Sequence, residues 1–130
     1  MRLLDASSLF ELVIEGDVEA PSGTYTLDLA RYELGNIVWK KVNLLKDISY
    51  ENGEKIMSVV VKMLNTIKMI GVSGCENDVL KLAPSESLSF YDAAYIEAAR
   101  RMELFLITED HKLLRVCEKL GYPAASVKDL

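Results

Sequence analysis

Apolar and polar positions alternate in blocks along the chain, and the blocks predict strands separated by helices. Short apolar runs predict strands at residues 2–4, 25–26, 68–72, 104–108 and 122–126. The segments between them predict helices to about residue 14, then over 27–45, 52–67, 76–82, 89–102 and 111–120. Strands that alternate with helices favour a parallel sheet covered on both faces. The pattern therefore predicts an α/β fold.

The helix over 52–67 has the most regular pattern. One stripe at helical spacing holds Ile56, Val59, Val60, Met63, Leu64 and Ile67, and such a stripe is typical of a core or dimer face. Ser7 or Ser8 is expected to cap the first helix. Pro84 is expected to stop the helix over 76–82, and Gly121 to end the last one.

Length and composition indicate an ordinary globular protein. The 130 residues predict a single domain over 1–130. Half of the residues are apolar, which argues against disorder, and Lys62 and Lys68 interrupt the longest candidate for a membrane span. Asp5 interrupts the apolar start where a signal peptide would continue. We expect a soluble cytoplasmic protein without a membrane partner.

The charge is unevenly distributed. The net charge is −5, but residues 1–36 carry two basic and seven acidic side chains, whereas residues 37–70 carry six basic and three acidic ones. Two interpretations stay open for the lysines of the second segment. They form a basic surface that holds phosphates, or they simply solvate exposed helix faces.

Several common kinds of site are excluded by what the sequence lacks. Cys75 and Cys117 are too few for a disulfide framework and are expected to be reduced and partly buried. His111 is the only histidine, which argues against a multi-histidine zinc site and against Ser-His-Asp catalysis. No glycine-rich nucleotide-binding loop is present. A site built from acidic side chains is the kind that remains.

Two acidic residues follow apolar strands of the predicted sheet. Asp5 comes directly after the first strand, and Asp110 follows the fourth. The carboxyl ends of neighbouring parallel strands share one rim, where sites of open α/β sheets lie. Carboxylates that converge there repel one another, and a divalent cation relieves the repulsion. Glu33 and Asp92, on the intervening helices, are candidates to join them.

Each acid also has a structural interpretation. Asp5 can accept main-chain hydrogen bonds at its strand end, and Glu33 can be a solvated helix residue. Asp92 stands three residues after Ser89, the spacing of a capping box. Asp110 can be the N-cap of the last helix.

Taken together, the segments around these acids resemble a known family. Residues 4–9, 29–36, 90–99 and 106–113 are similar to the four signature blocks of PIN domains, most closely those of VapC-type toxins. The resemblance implies a three-layer α/β/α fold with a central parallel sheet of four to five strands. It also implies an endoribonuclease that depends on Mg²⁺ or Mn²⁺.

Carried over by position, the resemblance assigns catalytic and metal-binding roles to Asp5, Glu33, Asp92 and Asp110. Supporting polar positions are assigned to Ser7, Asn36 and Thr108. One departure is the polar stretch over 21–24, where family members often have an apolar second strand.

The resemblance further implies an RNA substrate, a small antitoxin that wraps the chain, and a homodimer. Leu9, Phe10, Leu12 and Trp39 are candidates for an apolar groove that receives the antitoxin. For Trp39 we expect a place in the core, with groove wall and base-stacking surface as alternatives.

Two rival classes are compared with this interpretation. A haloacid-type phosphatase needs a second Asp at position 7, which is Ser7, and a receiver domain needs an acidic pair after the first strand. Neither pattern is present. The remaining alternative is a catalytically silent PIN-like module that binds protein or RNA. Such a module would be expected to lose some of the four acids, and this chain retains them all.

Overall fold

A parallel sheet of five strands forms the centre of the molecule. The computed structural model describes residues 1–129. The strands are β1 (Arg2–Leu4), β2 (Tyr25–Leu27), β3 (Lys68–Ile70), β4 (Phe105–Ile107) and β5 (Ala124–Ala125). Their order across the sheet is β3-β2-β1-β4-β5, and every neighbouring pair is parallel. The predicted fold class is confirmed, and β1 and β4, which the two strand-end acids follow, are neighbours.

Within residues 1–129, six α-helices connect the strands. They are α1 (Ala6–Glu15), α2 (Leu29–Trp39), α3 (Tyr50–Leu64), α4 (Glu76–Ser85), α5 (Phe90–Arg101) and α6 (His111–Leu120). A π-helix over Lys40–Leu44 continues α2, and a 3₁₀ turn over Val127–Asp129 follows β5. Within residues 1–129, no helix combines the length and apolar character needed to cross a bilayer.

Alternating side chains on the central strands define two cores. Leu3 and Leu106 point into the core formed with α4, α5 and α6, whereas Leu4 and Ile107 point into the core formed with α1, α2 and α3. This alternation is the ordinary period of a strand. It divides the helices into one layer on each face, as a three-layer fold requires.

The single helix predicted over residues 27–45 is divided in the structure. Leu27 belongs to β2, α2 ends at Trp39, and the following five residues form the π-helix, in which the Leu45 amide bonds the Lys40 carbonyl at 2.8 Å. The wider turn brings Val42 onto α3 at Gly53, where a Cβ atom would lie only 2.8 Å from Val42 Cγ2. A backbone without a side chain makes that packing possible.

Two predicted helix ends are corrected. The N-cap of α1 is Asp5, whose side chain accepts the Ser8 amide, rather than Ser7 or Ser8. The helix expected to stop at residue 82 continues to Ser85 with Pro84 inside its last turn. A proline there removes only one hydrogen bond, and the chain leaves the helix directly afterwards.

Several predicted positions of apolar residues are also settled. Trp39 was expected in the core, but its side chain is 47% exposed, so that prediction is wrong. Leu9 and Leu12 are buried in the core and cannot line a surface groove. In the apolar stripe along α3, Val59 is 36% exposed and Ile56 is partly exposed. Both cysteines are free and buried, as predicted.

The close packing at Gly53 gives a testable contrast with Gly35. Both lie inside helices, but a Cβ atom at Gly35 would meet nothing within 4 Å. We expect Gly35→Ala to raise the free energy of unfolding by about 0.5–1 kcal/mol, since alanine favours helices. Gly53→Ala should lower it by about 1–3 kcal/mol through overpacking against Val42. Urea unfolding measures both, and equal gains would contradict the packing described.

Candidate active site

Asp5 occupies the carboxyl end of β1 with its carboxylate buried and fully engaged. Its side chain is 5% exposed. Oδ1 accepts hydrogen bonds from the Ser7 hydroxyl at 2.7 Å and the Ser8 amide at 2.9 Å. Oδ2 accepts a hydrogen bond from the Thr108 hydroxyl. These donors come from the first turn of α1 and from the end of β4, so the carboxylate joins the two strands.

Ser7 and Thr108 extend this network into the turn that leads to α6. The Ser7 hydroxyl accepts the Glu109 amide at 2.9 Å, and the Thr108 hydroxyl accepts the Asp110 amide at 3.0 Å. Each hydroxyl therefore donates to Asp5 and accepts from the main chain. These hydrogen bonds hold the turn after β4 against Asp5. The turn in this way fixes where α6 begins, with Asp110 as its N-cap.

Asp110 and Asp92 stand at the beginnings of two helices. Asp110 is the N-cap of α6, and its Oδ1 accepts the amides of Lys112 at 2.8 Å and Leu113 at 3.3 Å. In α5 the cap is Ser89, whose hydroxyl accepts the Asp92 amide at 3.1 Å. Asp92 lines the pocket, and no main-chain amide within residues 1–129 donates to its carboxylate.

Glu33 reaches the site from α2, in the opposite helical layer. The Tyr95 hydroxyl donates a hydrogen bond to Glu33 Oε1 at 2.7 Å. Tyr95 was not identified from the sequence. It lies three residues after Asp92, on the same face of α5, and that spacing is the signal that points to it.

One pocket of about 260 Å³ brings the predicted acids together. It is lined by Asp5, Ala6, Ser7, Glu33, Asn36, Ile37, Lys40, Asp92, Tyr95 and Asp110. Thr108 lies behind Asp5 rather than on the pocket wall. A larger apolar groove of about 720 Å³ runs between α2 and α3, but it contains none of the clustered acids. The candidate chemistry therefore belongs to the smaller pocket.

Burial and mutual repulsion govern the protonation of these acids. Burial raises the pKa of Asp5, while its hydrogen bonds, led by that of Thr108, oppose the increase. Burial raises the pKa of Glu33, and the charges of Asp5 and Asp92 add to the effect. The pKa of Asp92 is raised by burial and then by the Asp110 charge. The ionised forms of these three acids therefore destabilise the folded state.

The donor set fits a hard divalent cation. All four candidate ligands are carboxylates, and oxygen is the ligand that Mg²⁺ and Mn²⁺ prefer. No three His, Cys, Asp or Glu side chains among residues 1–129 are already gathered into a ligand group.

Comparison with known proteins finds relatives of the chain. No protein-family model matches the chain. The chain is 31% identical over 114 residues to Exonuclease VapC9 of Pyrobaculum aerophilum, covering 86% of this chain and 82% of that protein. It is 26% identical over 121 residues to Ribonuclease VapC3 of the same organism, covering 85% and 90% respectively.

A solved structure shows the same fold. The crystal structure of PAE2754 from Pyrobaculum aerophilum superposes with a TM-score of 0.80 at 26% identity, covering 98% of this chain and 90% of that one. The three-layer architecture is that of PIN domains. The chain belongs to the VapC family.

Charge crowding predicts how stability without metal depends on Asp92. Because the folded state raises the pKa of Asp92 above its ordinary value of 3.8, the ionised side chain destabilises the fold, and stability falls as pH rises through that interval. Asp92→Asn should therefore raise the melting temperature at pH 7 by roughly 2–5 °C. The gain should vanish at pH 3.

The control for this prediction is Asp78→Asn, an exposed acid on α4. It should show no comparable gain at pH 7. Thermal melts in chelator at both pH values make the measurement, and a lower melting temperature for Asp92→Asn at pH 7 would contradict the crowding described.

Proposed function

We propose that the protein is a cytoplasmic endoribonuclease that depends on Mg²⁺ or Mn²⁺ and serves as the toxin of a VapBC-type pair. The observation that carries the proposal is the convergence of Asp5, Glu33, Asp92 and Asp110 on one pocket. They come from four separate parts of the sequence. The similarity to proteins named as VapC nucleases supports nuclease activity of this kind.

Asp92, Asp110 and Glu33 have oxygens directed at the pocket and would hold the cation together with Asp5. A bound divalent ion would lower the pKa of a water and offset charge on the phosphate. Asp5, buried and fixed by its donors, gives the ligand set an immobile member. Such preorganisation reduces the movement needed when the charge distribution changes.

Other pocket residues have roles toward the RNA. Lys40 lines the pocket at the start of the π-helix and offers a cation to a substrate phosphate. Asn36 is one turn of helix from Glu33 on the same face of α2 and supplies an amide to orient ligands or substrate. Both lie on α2 or its continuation, so this helix forms the wall along which the RNA backbone would pass.

The proposed protein partner is a small antitoxin. The apolar groove between α2 and α3 offers it a surface, with Trp39, Tyr50 and Val61 on its walls. A basic side chain from the antitoxin would neutralise the acidic pocket and displace the cation. The homodimer that the family implies is part of the same proposal and is tested by the mass of the purified protein in solution.

A catalytically silent binding module is the second candidate. It would use the pocket to bind protein or RNA without cutting. The four acids are retained together with their supporting Ser7 and Thr108, an arrangement that costs stability and that a binding role does not require. We therefore favour the nuclease.

Cleavage assays test the proposed activity and the mode of cutting. Linear RNA, circular RNA and DNA of one sequence are incubated with the wild type in Mg²⁺ or Mn²⁺. We expect both RNA forms to be cut, because an endonuclease needs no free end, and we expect DNA to persist. Asp5→Asn and Asp92→Asn should reduce cleavage to background, while Asp78→Asn retains it.

Two outcomes would contradict the proposal, one on the mode of cutting and the other on the site. Shortening of linear RNA with intact circles would indicate an exonuclease. Full activity in Asp5→Asn or Asp92→Asn would remove the acidic pocket from the mechanism.

Metal binding is tested separately from cleavage. Calorimetric titration with Mn²⁺ should show saturable binding by the wild type, since the carboxylates repel one another until a cation is present. Asp92→Asn should lose that binding, and Asp78→Asn should keep it. Equal affinity in the wild type and Asp92→Asn would exclude Asp92 as a ligand and leave helix capping as the function of its segment.

A further inference from the structure

The side chain of Tyr95 joins the two helical layers at the acidic pocket. Its ring is 1% exposed and belongs to the core formed with α4, α5 and α6. Its side chain also lines the acidic pocket, and its hydroxyl donates to Glu33 Oε1 at 2.7 Å. Glu33 stands on α2, which packs on the other core. A donor fixed in one layer therefore contacts an acid carried by the other.

The two partners differ in their freedom to move. Tyr95 has its rotamer set by the surrounding core, because close-packed interiors hold side chains in single rotamers. Glu33 is partly exposed, and a glutamate on a helix face has several staggered rotamers available. The hydrogen bond selects among these rotamers. Tyr95 thus determines the position of Glu33, and the reverse does not hold.

The same bond distinguishes the two carboxylate oxygens of Glu33. Oε1 is engaged by the Tyr95 hydroxyl, whereas Oε2 accepts no hydrogen bond from the described residues. A carboxylate held in this way presents only its free oxygen to the pocket. A free glutamate can bind a cation through both oxygens at once, and the hydrogen bond from Tyr95 makes that symmetric contact unfavourable. The resemblance gives Glu33 a metal-binding role without saying how many of its oxygens take part, and this hydrogen bond narrows the choice to one oxygen.

We infer that Tyr95 is a positioning residue that holds Glu33 for single-oxygen contact with the divalent cation or with the water beside it. The inference rests on the proposed function. Tyr95 itself neither binds the cation nor contacts the RNA. Its effect is carried entirely by the orientation of the Glu33 carboxylate.

The test uses a matched pair of tyrosines on α5. Tyr95→Phe keeps the buried ring and removes the hydroxyl. Tyr91→Phe makes the same chemical change four residues earlier, at a side chain that is 60% exposed. For the wild type and both variants, the melting temperature, the Mn²⁺ affinity by calorimetry, and kcat and KM on RNA are measured.

We expect Tyr95→Phe to weaken Mn²⁺ affinity and lower kcat by roughly 10–100-fold, the range found when a residue that orients a metal ligand is lost. KM should stay near the wild-type value, since substrate contacts are retained. Tyr91→Phe should match the wild type in every measurement. A purely structural role for Tyr95 would lower the melting temperature without this division between kcat and KM.

A double-mutant cycle with Glu33→Ala tests whether Tyr95 acts through Glu33. Once the carboxylate is absent, removal of the Tyr95 hydroxyl should cause no further loss of Mn²⁺ affinity. A second full loss in the double variant would overturn the inference, because Tyr95 would then act independently.

The failures of the two proposals are distinguishable. If the wild type cleaves RNA and Tyr95→Phe behaves like Tyr91→Phe, the positioning role is overturned and the proposed function stands. If the wild type binds Mn²⁺ but cleaves no RNA, the proposed function fails. The double-mutant cycle, measured by Mn²⁺ affinity, still decides the role of Tyr95. A wild type that neither binds Mn²⁺ nor cleaves RNA would overturn both.

Discussion

The buried carboxylate of Asp5 is the interaction on which the rest of the site depends. A carboxylate taken out of water without partners costs several kcal/mol, so its donors must be present for the fold to tolerate it. Ser7, Ser8 and Thr108 supply them. In doing so they fix β1 against β4 and shape the turn into α6. One side chain therefore serves as helix cap, strand connection and member of the acidic pocket.

Helix beginnings explain how the fold carries so many acids in a small volume. Asp5 and Asp110 are the N-caps of α1 and α6, and Asp92 lies in the first turn of α5. The positive end of a helix dipole stabilises a negative side chain, typically by 0.3–1 kcal/mol at an exposed position. Three helices thus direct that end at one rim of the sheet. The positions that place these acids at the beginnings of helices are thus the same positions that bring them to the pocket.

The sequence was sufficient for the parts of the molecule that follow local rules. Strand-end acids converge because parallel neighbours share a rim, as the pattern of strands and helices predicts. The cap of α1 was assigned to a serine because serine is a favoured cap, whereas a network reaching Thr108 makes Asp5 the cap. Contacts between residues a hundred positions apart leave no local signal.

The π-helix and Trp39 were missed for a related reason. Periodicity over 27–45 suits one continuous helix, and the widened turn depends on how Val42 meets Gly53 of α3. The exposure of Trp39 follows from the groove that α2 and α3 leave between them. Tyr95 has the spacing of a residue near Asp92, yet its hydrogen bond to Glu33 requires the two layers to meet. Tertiary packing decided each of these cases.

The span of the Asp5 network has a consequence for synthesis of the protein. Thr108 follows Asp5 by 103 residues and Glu109 follows Ser7 by 102, so both donors are made much later than the side chains they contact. A growing chain whose β4 has not yet emerged from the ribosome lacks the Thr108 donor to Asp5 and cannot bring Asp110 to the pocket. The acidic pocket therefore assembles only after these later residues have been made, because the order of its acids along the sequence delays assembly of the site.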